Sequence, residues 1–112
     1  MKLNDLMQLP GFQVLVAPED GEREVTDIKC CDLLSWVMAN GAEGNAWITV
    51  QTHLNVVAVA ALLDMACIIV PEGIEMEEAT LEKARDQAVA VLAADTDAYG
   101  IFMRCYEAGL RK

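Results

Sequence analysis

The polar residues best suited to binding or catalysis lie between residue 49 and residue 55, where the apolar run AWITV ends. Thr49, Gln51, Thr52, His53 and Asn55 supply hydrogen-bond donors and acceptors there. In open α/β sheets, ligands bind beyond the carboxyl ends of the strands, and free N–H groups at a helix start attract anions. The segment therefore predicts a site for a small anionic ligand. The alternative is that Thr52 only caps a helix and His53 only decorates the turn.

His53 is the single histidine of the chain and the only plausible acid–base group of this segment. A general base needs a nucleophile or an orienting carboxylate within reach, and neither lies near His53 in sequence. Asp32 is a carboxylate that could approach it in space. The sequence therefore predicts no enzyme, and a small transferase or phosphatase that uses His53 is the least favoured alternative.

Asp32 and Ser35 begin the segment DLLSWVMANG, which has an apolar stripe of helical spacing. Both could line the same crevice as His53, although helix capping explains both residues, with Asp32 as the N-cap. Two tryptophans flank the following turn. Trp36 and Trp47 indicate either an oligomer contact or core positions.

Composition excludes several classes of site and partner. Four cysteines without a CxxC spacing, beside one histidine, disfavour a zinc site and indicate reduced, mostly structural thiols. The glutamates between residues 72 and 82 lack calcium-loop spacing and predict a solvated face. We expect no metal and no cofactor. Met38, Met65, Met76 and Met103 are predicted to fill gaps in the core.

The formal net charge of −10 argues against a nucleic-acid partner, because phosphate binding relies on clustered Lys and Arg. The same charge disfavours anionic membrane surfaces. The longest apolar stretch, residues 54–70, is interrupted by Asn55 and Asp64 and is too short to span a bilayer. We expect a single cytoplasmic domain over residues 1–112.

Hydrophobic periodicity and turn signals define the predicted elements. Helices are predicted over residues 2–9, 32–39, 53–63, 76–87 and 97–108, and strands over residues 12–17, 25–30, 46–50, 65–70 and 89–93. The alternative for the Ala-rich residues 89–93 is an extension of the helix before them. Asp20–Gly21 is a hairpin signal between the first two strands. Alternating strands and helices from Ala46 onward imply parallel strands with right-handed crossovers. The predicted class is α/β.

Three segments of the chain resemble the DRTGG domain family. They are ER-V-T-D-I-K-x-x-DLLS-x-VMA, AEG-N-AWIT-V-QTH-x-N-VVAVA and D-M-A-x-IIV. The resemblance covers residues 3–110 and implies a three-layer α/β/α fold with a mostly parallel central sheet. That fold is similar to the N-terminal domain of HPr kinase/phosphorylase and, more remotely, to that of Mur ligases.

Two departures limit what the resemblance implies about activity. Thr26 is followed by Asp27 and Ile28, whereas the family motif has two glycines at these positions. The chain also lacks the GxxxxGK[ST] phosphate loop, so kinase activity is not expected.

The resemblance and the lack of a catalytic set lead to one functional expectation. It is a non-catalytic regulatory or ligand-sensing module, homodimeric, that binds an anionic metabolite or nucleotide at residues 51–55. Thr26 joins the candidate ligand-binding residues through the family motif. The alternative is an interaction or scaffold partner of a larger metabolic or redox enzyme.

Overall fold

The structure, a computed structural model, describes residues 1–110; the last two residues of the predicted domain lie outside the described part. Five strands form one sheet: β1 (Phe12–Val16), β2 (Asp27–Cys30), β3 (Asn45–Ile48), β4 (Cys67–Val70) and β5 (Val91–Ala94). Five helices connect and cover it: α1 (Leu3–Met7), α2 (Leu34–Asn40), α3 (Asn55–Leu62), α4 (Glu78–Asp86) and α5 (Ala98–Glu107).

The sheet has the strand order β1-β5-β4-β3-β2. β2 to β5 are parallel, and β1 pairs with β5 in the antiparallel direction. The three crossovers through α2, α3 and α4 all advance in the same direction across the sheet. Right-handed crossovers of this kind place their helices on one face. The prediction of a three-layer, mostly parallel α/β fold is confirmed.

Two apolar cores, one on each face, hold the layers together. One contains Trp47, Ile68 and residues of α2, α3 and α4, and the other contains Ile48, Ile69 and residues of α1 and α5. Every residue of β3 and β4 is buried. A parallel strand covered on both faces reads as a continuous apolar run, which is why these two strands were recognisable in the sequence.

The predicted hairpin at Asp20–Gly21 is wrong. β1 and β2 lie at opposite edges of the sheet and do not pair. The segment after Gly21 is held by α1 instead, because Asn4 N donates to Gly21 O at 2.8 Å and Leu3 N donates to Arg23 O at 3.0 Å. Burial of Leu3 and Val25 in one core outweighs the local turn signal.

Several predicted core residues are exposed. Trp36 has a relative exposure of 58%, whereas Trp47 is fully buried, so the core position holds for Trp47 and not for Trp36. Met65 and Met76 are buried as predicted, but Met38 and Met103 are not, and the core prediction is wrong for them. Helical spacing alone does not distinguish residues that face the core from residues at the side of the helix.

The cysteines divide into two pairs. Cys67 and Cys105 are buried, Cys30 is exposed and Cys31 is half-buried, and all four are free thiols. Within residues 1–110, no cluster of three His, Cys, Asp or Glu side chains has the geometry to hold a metal ion. None of the helices in this part of the chain is long and apolar enough to cross a membrane.

Candidate functional site

The carboxyl end of β2 is tied to the carboxyl end of β3 by Asp32. Its Oδ1 accepts hydrogen bonds from Thr49 Oγ1 and from Val50 N, both at 2.9 Å. The Gln51 side chain returns the link, since Nε2 donates to the backbone oxygen of Asp32 at 3.1 Å. Thr49 is buried, and its hydroxyl also accepts from Gln51 N at 3.1 Å. This network fixes the corner where the chain leaves the sheet.

Asp32 is therefore not the N-cap of α2, and that prediction is wrong. The helix begins at Leu34 with Leu33 in the capping position, which has no side-chain acceptor. The Asp32 carboxylate has turned toward β3, where a buried hydroxyl and a backbone N–H both need an acceptor.

Thr52 joins the same corner to α4. Thr52 Oγ1 donates to Glu77 Oε2 at 3.2 Å, and Thr80 Oγ1 donates to Thr52 O at 2.6 Å. Thr80 is fully buried. The prediction that Thr52 caps α3 is wrong, because its hydroxyl bonds to the glutamate that precedes α4. Thr52 is thus hydrogen-bonded to residues that follow β4, as Thr49 is to a residue that follows β2.

The His53 side chain bonds to the first residue of α3, whose capping position is Leu54. Its Nδ1 accepts a hydrogen bond from Asn55 N at 3.3 Å, which closes a short turn before α3. A neutral imidazole that accepts through Nδ1 carries its proton on Nε2. In the described part of the chain, no hydrogen bond joins His53 to Asp32, whose carboxylate bonds to Thr49 and Val50. The orienting carboxylate considered for a catalytic His53 is engaged elsewhere.

The first turn of α3 satisfies its own backbone donors. Val56 N donates to His53 O, and Val57 N and Ala58 N donate to Leu54 O, at 3.1–3.5 Å. The N–H groups that remain for a ligand precede the helix. Those of His53 and Leu54 form no hydrogen bond with any residue in the range 1–110. An anion bound here would therefore accept hydrogen bonds from the turn before α3 and not from the first turn of the helix.

Two candidate residues lie at the same edge of the sheet as this corner and stay solvent-accessible. Asn55 is exposed at the first position of α3, and Ser35 is exposed on α2. Since α2 and α3 both begin at the carboxyl edge of the sheet, both side chains lie on the same side of the molecule as His53.

Thr26 lies away from the other candidates. It precedes β2, at the amino edge of the sheet, with one whole strand between it and Asp32. Its hydroxyl donates to Glu43 O at 3.0 Å and accepts from Asn45 Nδ2 at 3.3 Å. Gly44 packs directly on it, and a Cβ at Gly44 would lie 2.8 Å from Thr26 Cγ2. In this chain Thr26 braces the entry to β3, while Asp27 and Ile28 begin β2.

No sequence pattern indicated the two contributors from the side of α4, Glu77 and Thr80. Both are far from Thr52 in sequence, with separations of 25 and 28 residues. They meet it because β4 lies beside β3, which makes α3 and α4 neighbours.

A cleft of about 370 Å³ opens farther along the same edge, beside β5. It is lined by Gln13, Leu15, Gly73, Ile74, Glu75, Met76, Leu81 and Ala93. Its volume lies within the range of small-molecule sites. The loop after β4 separates this cleft from the corner, since Met76 lines the cleft and Glu77 bonds to Thr52. The sequence did not indicate this cleft, because its walls come from β1, β5 and the loop before α4.

No protein-family model and no curated protein sequence matches this chain. A solved structure does match in fold. It is the crystal structure of the CBS and DRTGG domains of the regulatory region of Clostridium perfringens pyrophosphatase, complexed with the activator diadenosine tetraphosphate. The TM-score is 0.71 at 14% sequence identity, over 92% of this chain.

The match covers 45% of the solved chain, so this protein spans less than half the length of that regulatory region. The likeness establishes a related fold, in agreement with the five-stranded sheet and its covering helices.

Proposed function

We propose that the protein is a non-catalytic regulatory module of the DRTGG type that senses a small anionic ligand at residues 51–55. The observation that carries this proposal is the construction of the corner itself. Thr49 is hydrogen-bonded to Asp32, just after β2, and Thr52 to Thr80 of α4, while His53 and Asn55 remain exposed beside them. Hydrogen-bonded residues that hold accessible donors in place suit a site that binds a ligand and catalyses no reaction.

The chemical class of the ligand follows from the groups that remain accessible. The N–H groups of His53 and Leu54 are donors, and so is the protonated Nε2 of His53. N–H donors bind phosphate or carboxylate groups, and the two carboxylates at the corner, Asp32 and Glu77, already accept hydrogen bonds from Thr49, Val50 and Thr52. A nucleotide or another anionic metabolite fits this description. The activator in the solved regulatory region of similar fold is a dinucleotide polyphosphate, which supports the same class.

A thermal-shift screen tests the proposal. The probes are AMP, ATP, acetyl phosphate and glucose 6-phosphate at millimolar concentration. We expect at least one to raise the melting temperature, because a ligand at 100 times its Kd adds about 2.7 kcal/mol to the free energy of unfolding. A screen in which no probe shifts the melting temperature would contradict sensing at this site.

Two variants locate the binding. His53→Ala and Asn55→Ala are expected to weaken the response to the active probe about tenfold, because each removes one accessible polar group. Asn40→Ala, at the end of α2 on the opposite edge, is the matched control and should respond as the wild type does. Equal responses from all three variants would move the ligand elsewhere.

The proposal includes a cytoplasmic homodimer, and it leaves one alternative with support of its own. Leu33 and Trp36 are exposed by 62% and 58% on the flank of α2. Such residues suit a docking contact with a larger metabolic or redox enzyme. Affinity purification from native extract distinguishes the two functions, since a docking protein would retain one enzyme that Trp36→Ala releases.

A further inference from the structure

The cleft beside β5 lies where β1 extends the sheet beyond the strands that α4 connects. Its walls are Gln13 and Leu15 of β1, Ala93 of β5, the loop of residues 73–76 and Leu81 of α4, and its volume is about 370 Å³. We name this cavity the β5 cleft. None of its lining residues belongs to the candidate site that follows β3, so the β5 cleft is a separate cavity.

The walls of the β5 cleft are mainly apolar. Leu15, Ile74 and Leu81 are half-buried and pack against the core on the face that α2, α3 and α4 cover, and Met76 is buried in that core. Ala93 contributes only a methyl group, which leaves space above β5. Water in such a cleft is displaced favourably by an apolar group. The β5 cleft therefore suits a ligand whose body is apolar.

The loop that forms one wall is held in place by the chain that leaves β5. Glu72 N donates to Thr96 O at 2.9 Å, and Gly73 N donates to Ala94 O at 3.0 Å. Glu72 and Gly73 also share a left-handed backbone, with φ angles of 60° and 66°, which turns the chain sharply after β4. Because backbone hydrogen bonds anchor this wall, the cleft is formed before a ligand arrives, and binding costs little ordering of the loop.

Two polar side chains line the β5 cleft, and both are available to a ligand. The side chains of Gln13 and Glu75 form no hydrogen bond and no ion pair with any residue in the described part of the chain. The neighbouring Glu77 differs, because its carboxylate bonds to Thr52. Glu75 is the only charged side chain among the lining residues. The β5 cleft thus combines apolar walls with one carboxylate and one amide.

This combination disfavours two classes of ligand. A metal ion needs several oxygen, nitrogen or sulfur ligands, and the lining offers one carboxylate and one amide. An anion would lie beside Glu75 in a chain whose net charge is −10, and both would repel it. An organic cation meets neither obstacle. Its ammonium group donates charge-assisted hydrogen bonds to a carboxylate, and the negative field of the chain attracts it.

We propose that the β5 cleft binds a small organic amine. The apolar body of the amine lies against Leu15, Ile74 and Met76, and its ammonium group donates to the carboxylate of Glu75. The amide oxygen of Gln13 accepts a second hydrogen bond, since an ammonium group has donors enough for both. The inference goes beyond the proposed function and does not depend on it, because the ligand proposed for residues 51–55 is an anion.

Titration of the isotope-labelled full chain, followed by NMR, tests the site with three probes of one shape. Phenethylamine, phenylethanol and phenylacetate share a benzyl group and are cationic, neutral and anionic. We expect millimolar phenethylamine to shift the amide signals of residues 13–15, 73–76 and 93. It should bind at least about tenfold more tightly than phenylacetate, with phenylethanol between them. If phenethylamine moved none of these signals, or if phenylacetate bound as tightly, the proposal would be overturned.

Glu75→Gln should weaken phenethylamine binding about fivefold and leave phenylethanol unaffected, because only the ammonium group needs the carboxylate. Glu107→Gln is the matched control, since it removes an exposed carboxylate from α5, on the other face of the sheet. It should bind phenethylamine as the wild type does. Equal losses in the two variants would attribute the preference to net charge alone and overturn the role of Glu75.

Ala93→Leu fills the β5 cleft and should abolish the binding of all three probes. Glu75 is exposed, so its variant keeps the fold, and the test stands even if Ala93→Leu unfolds the chain. A folded Ala93→Leu variant that binds phenethylamine as tightly as the wild type would place the amine outside the cleft and overturn the proposal. The sensing of anions at residues 51–55 is judged separately, by the thermal-shift response.

Discussion

The carboxylate of Asp32 accepts a hydrogen bond from the hydroxyl of Thr49 at 2.9 Å, and this contact ties the ends of two neighbouring parallel strands together. The same oxygen also accepts from Val50 N. One side chain therefore satisfies a buried hydroxyl and a backbone donor at the corner from which residues 51–55 depart. The position of the candidate ligand site depends on this link.

Replacing Asp32 by Ala is expected to lower the free energy of unfolding by about 1–3 kcal/mol. The reason is that two donors lose a charged acceptor, and the hydroxyl of Thr49 is buried. Urea denaturation measures the change. Ser35→Ala, three residues away on an exposed site, is the control and should stay within about 0.5 kcal/mol of the wild type. Equal effects of the two substitutions would mean that the link contributes nothing to stability.

Thr80→Val is expected to loosen the corner from the side of α4. The substitution keeps the shape of a fully buried side chain but removes the donor to Thr52 O. The loss of this hydrogen bond to the half-buried Thr52 costs about 0.5–1.5 kcal/mol. Hydrogen exchange at residues 51–55 should become faster than in the wild type.

Thr80→Ser serves as the matched control because it keeps the hydroxyl. Its amide exchange at the corner should follow the wild type, even though the lost methyl group lowers global stability. If Thr80→Val and Thr80→Ser gave the same exchange rates at residues 51–55, the hydrogen bond would not be what holds the junction.

The strands and most helices were predictable because their signals are local. AWITV and CIIV are apolar runs of strand length, and Asp97, at the start of the predicted last helix, caps α5 by accepting from Gly100 N. The partners of Asp32 and Thr52 were not predictable. They lie 17 to 28 residues away, and strand order alone brings them into contact.

The hairpin signal at Asp20–Gly21 is a local pattern that did not predict which strands pair. Asp20–Gly21 has the composition of a tight turn, but β1 pairs with β5 and does not fold back on β2. Pairing across some 80 residues leaves no trace in a local window. Thr26 is a further case, since its motif-based role gives way to hydrogen bonds with Glu43 O and Asn45.

Gly44→Ala is expected to destabilise the protein more than Gly73→Ala. Both glycines have positive φ angles, of 80° and 66°, so an alanine at either position costs about 1–2 kcal/mol in backbone strain. A Cβ at Gly44 would also lie 2.8 Å from Thr26 Cγ2, whereas a Cβ at Gly73 meets nothing within 4 Å. Crowding should add about 1–3 kcal/mol at Gly44 only.

Thermal unfolding of the two variants measures the difference. The double variant Gly44→Ala, Thr26→Ser provides the decisive comparison, because serine lacks the crowded methyl group and keeps the hydroxyl bonds of Thr26. It should recover part of the loss. Gly44→Ala and Gly73→Ala with the same melting temperature would show that Thr26 yields without cost.

The buried thiols predict a loss of stability at alkaline pH. Burial raises the pKa of the Cys105 thiol from its ordinary value of 9.0 to about 11. Burial, together with the nearby Cys105, raises the pKa of Cys67 well above its usual range. In the unfolded chain these thiols ionise above pH 9, while in the folded protein they stay protonated. The contribution of these thiols to the free energy of unfolding is therefore fully present below pH 9. Above pH 9 the free energy of unfolding falls by about 1.4 kcal/mol per pH unit for each thiol.

Urea denaturation under reducing conditions, from neutral pH to pH 11, measures this dependence. Cys105→Ala removes one of the two thiols, so its stability should fall less steeply with pH, by a total of about 2–3 kcal/mol less than in the wild type. The comparison of slopes cancels the titration of tyrosine and lysine, which both proteins share. Parallel curves for the two proteins would show that Cys105 ionises as readily in the folded chain as in the unfolded one.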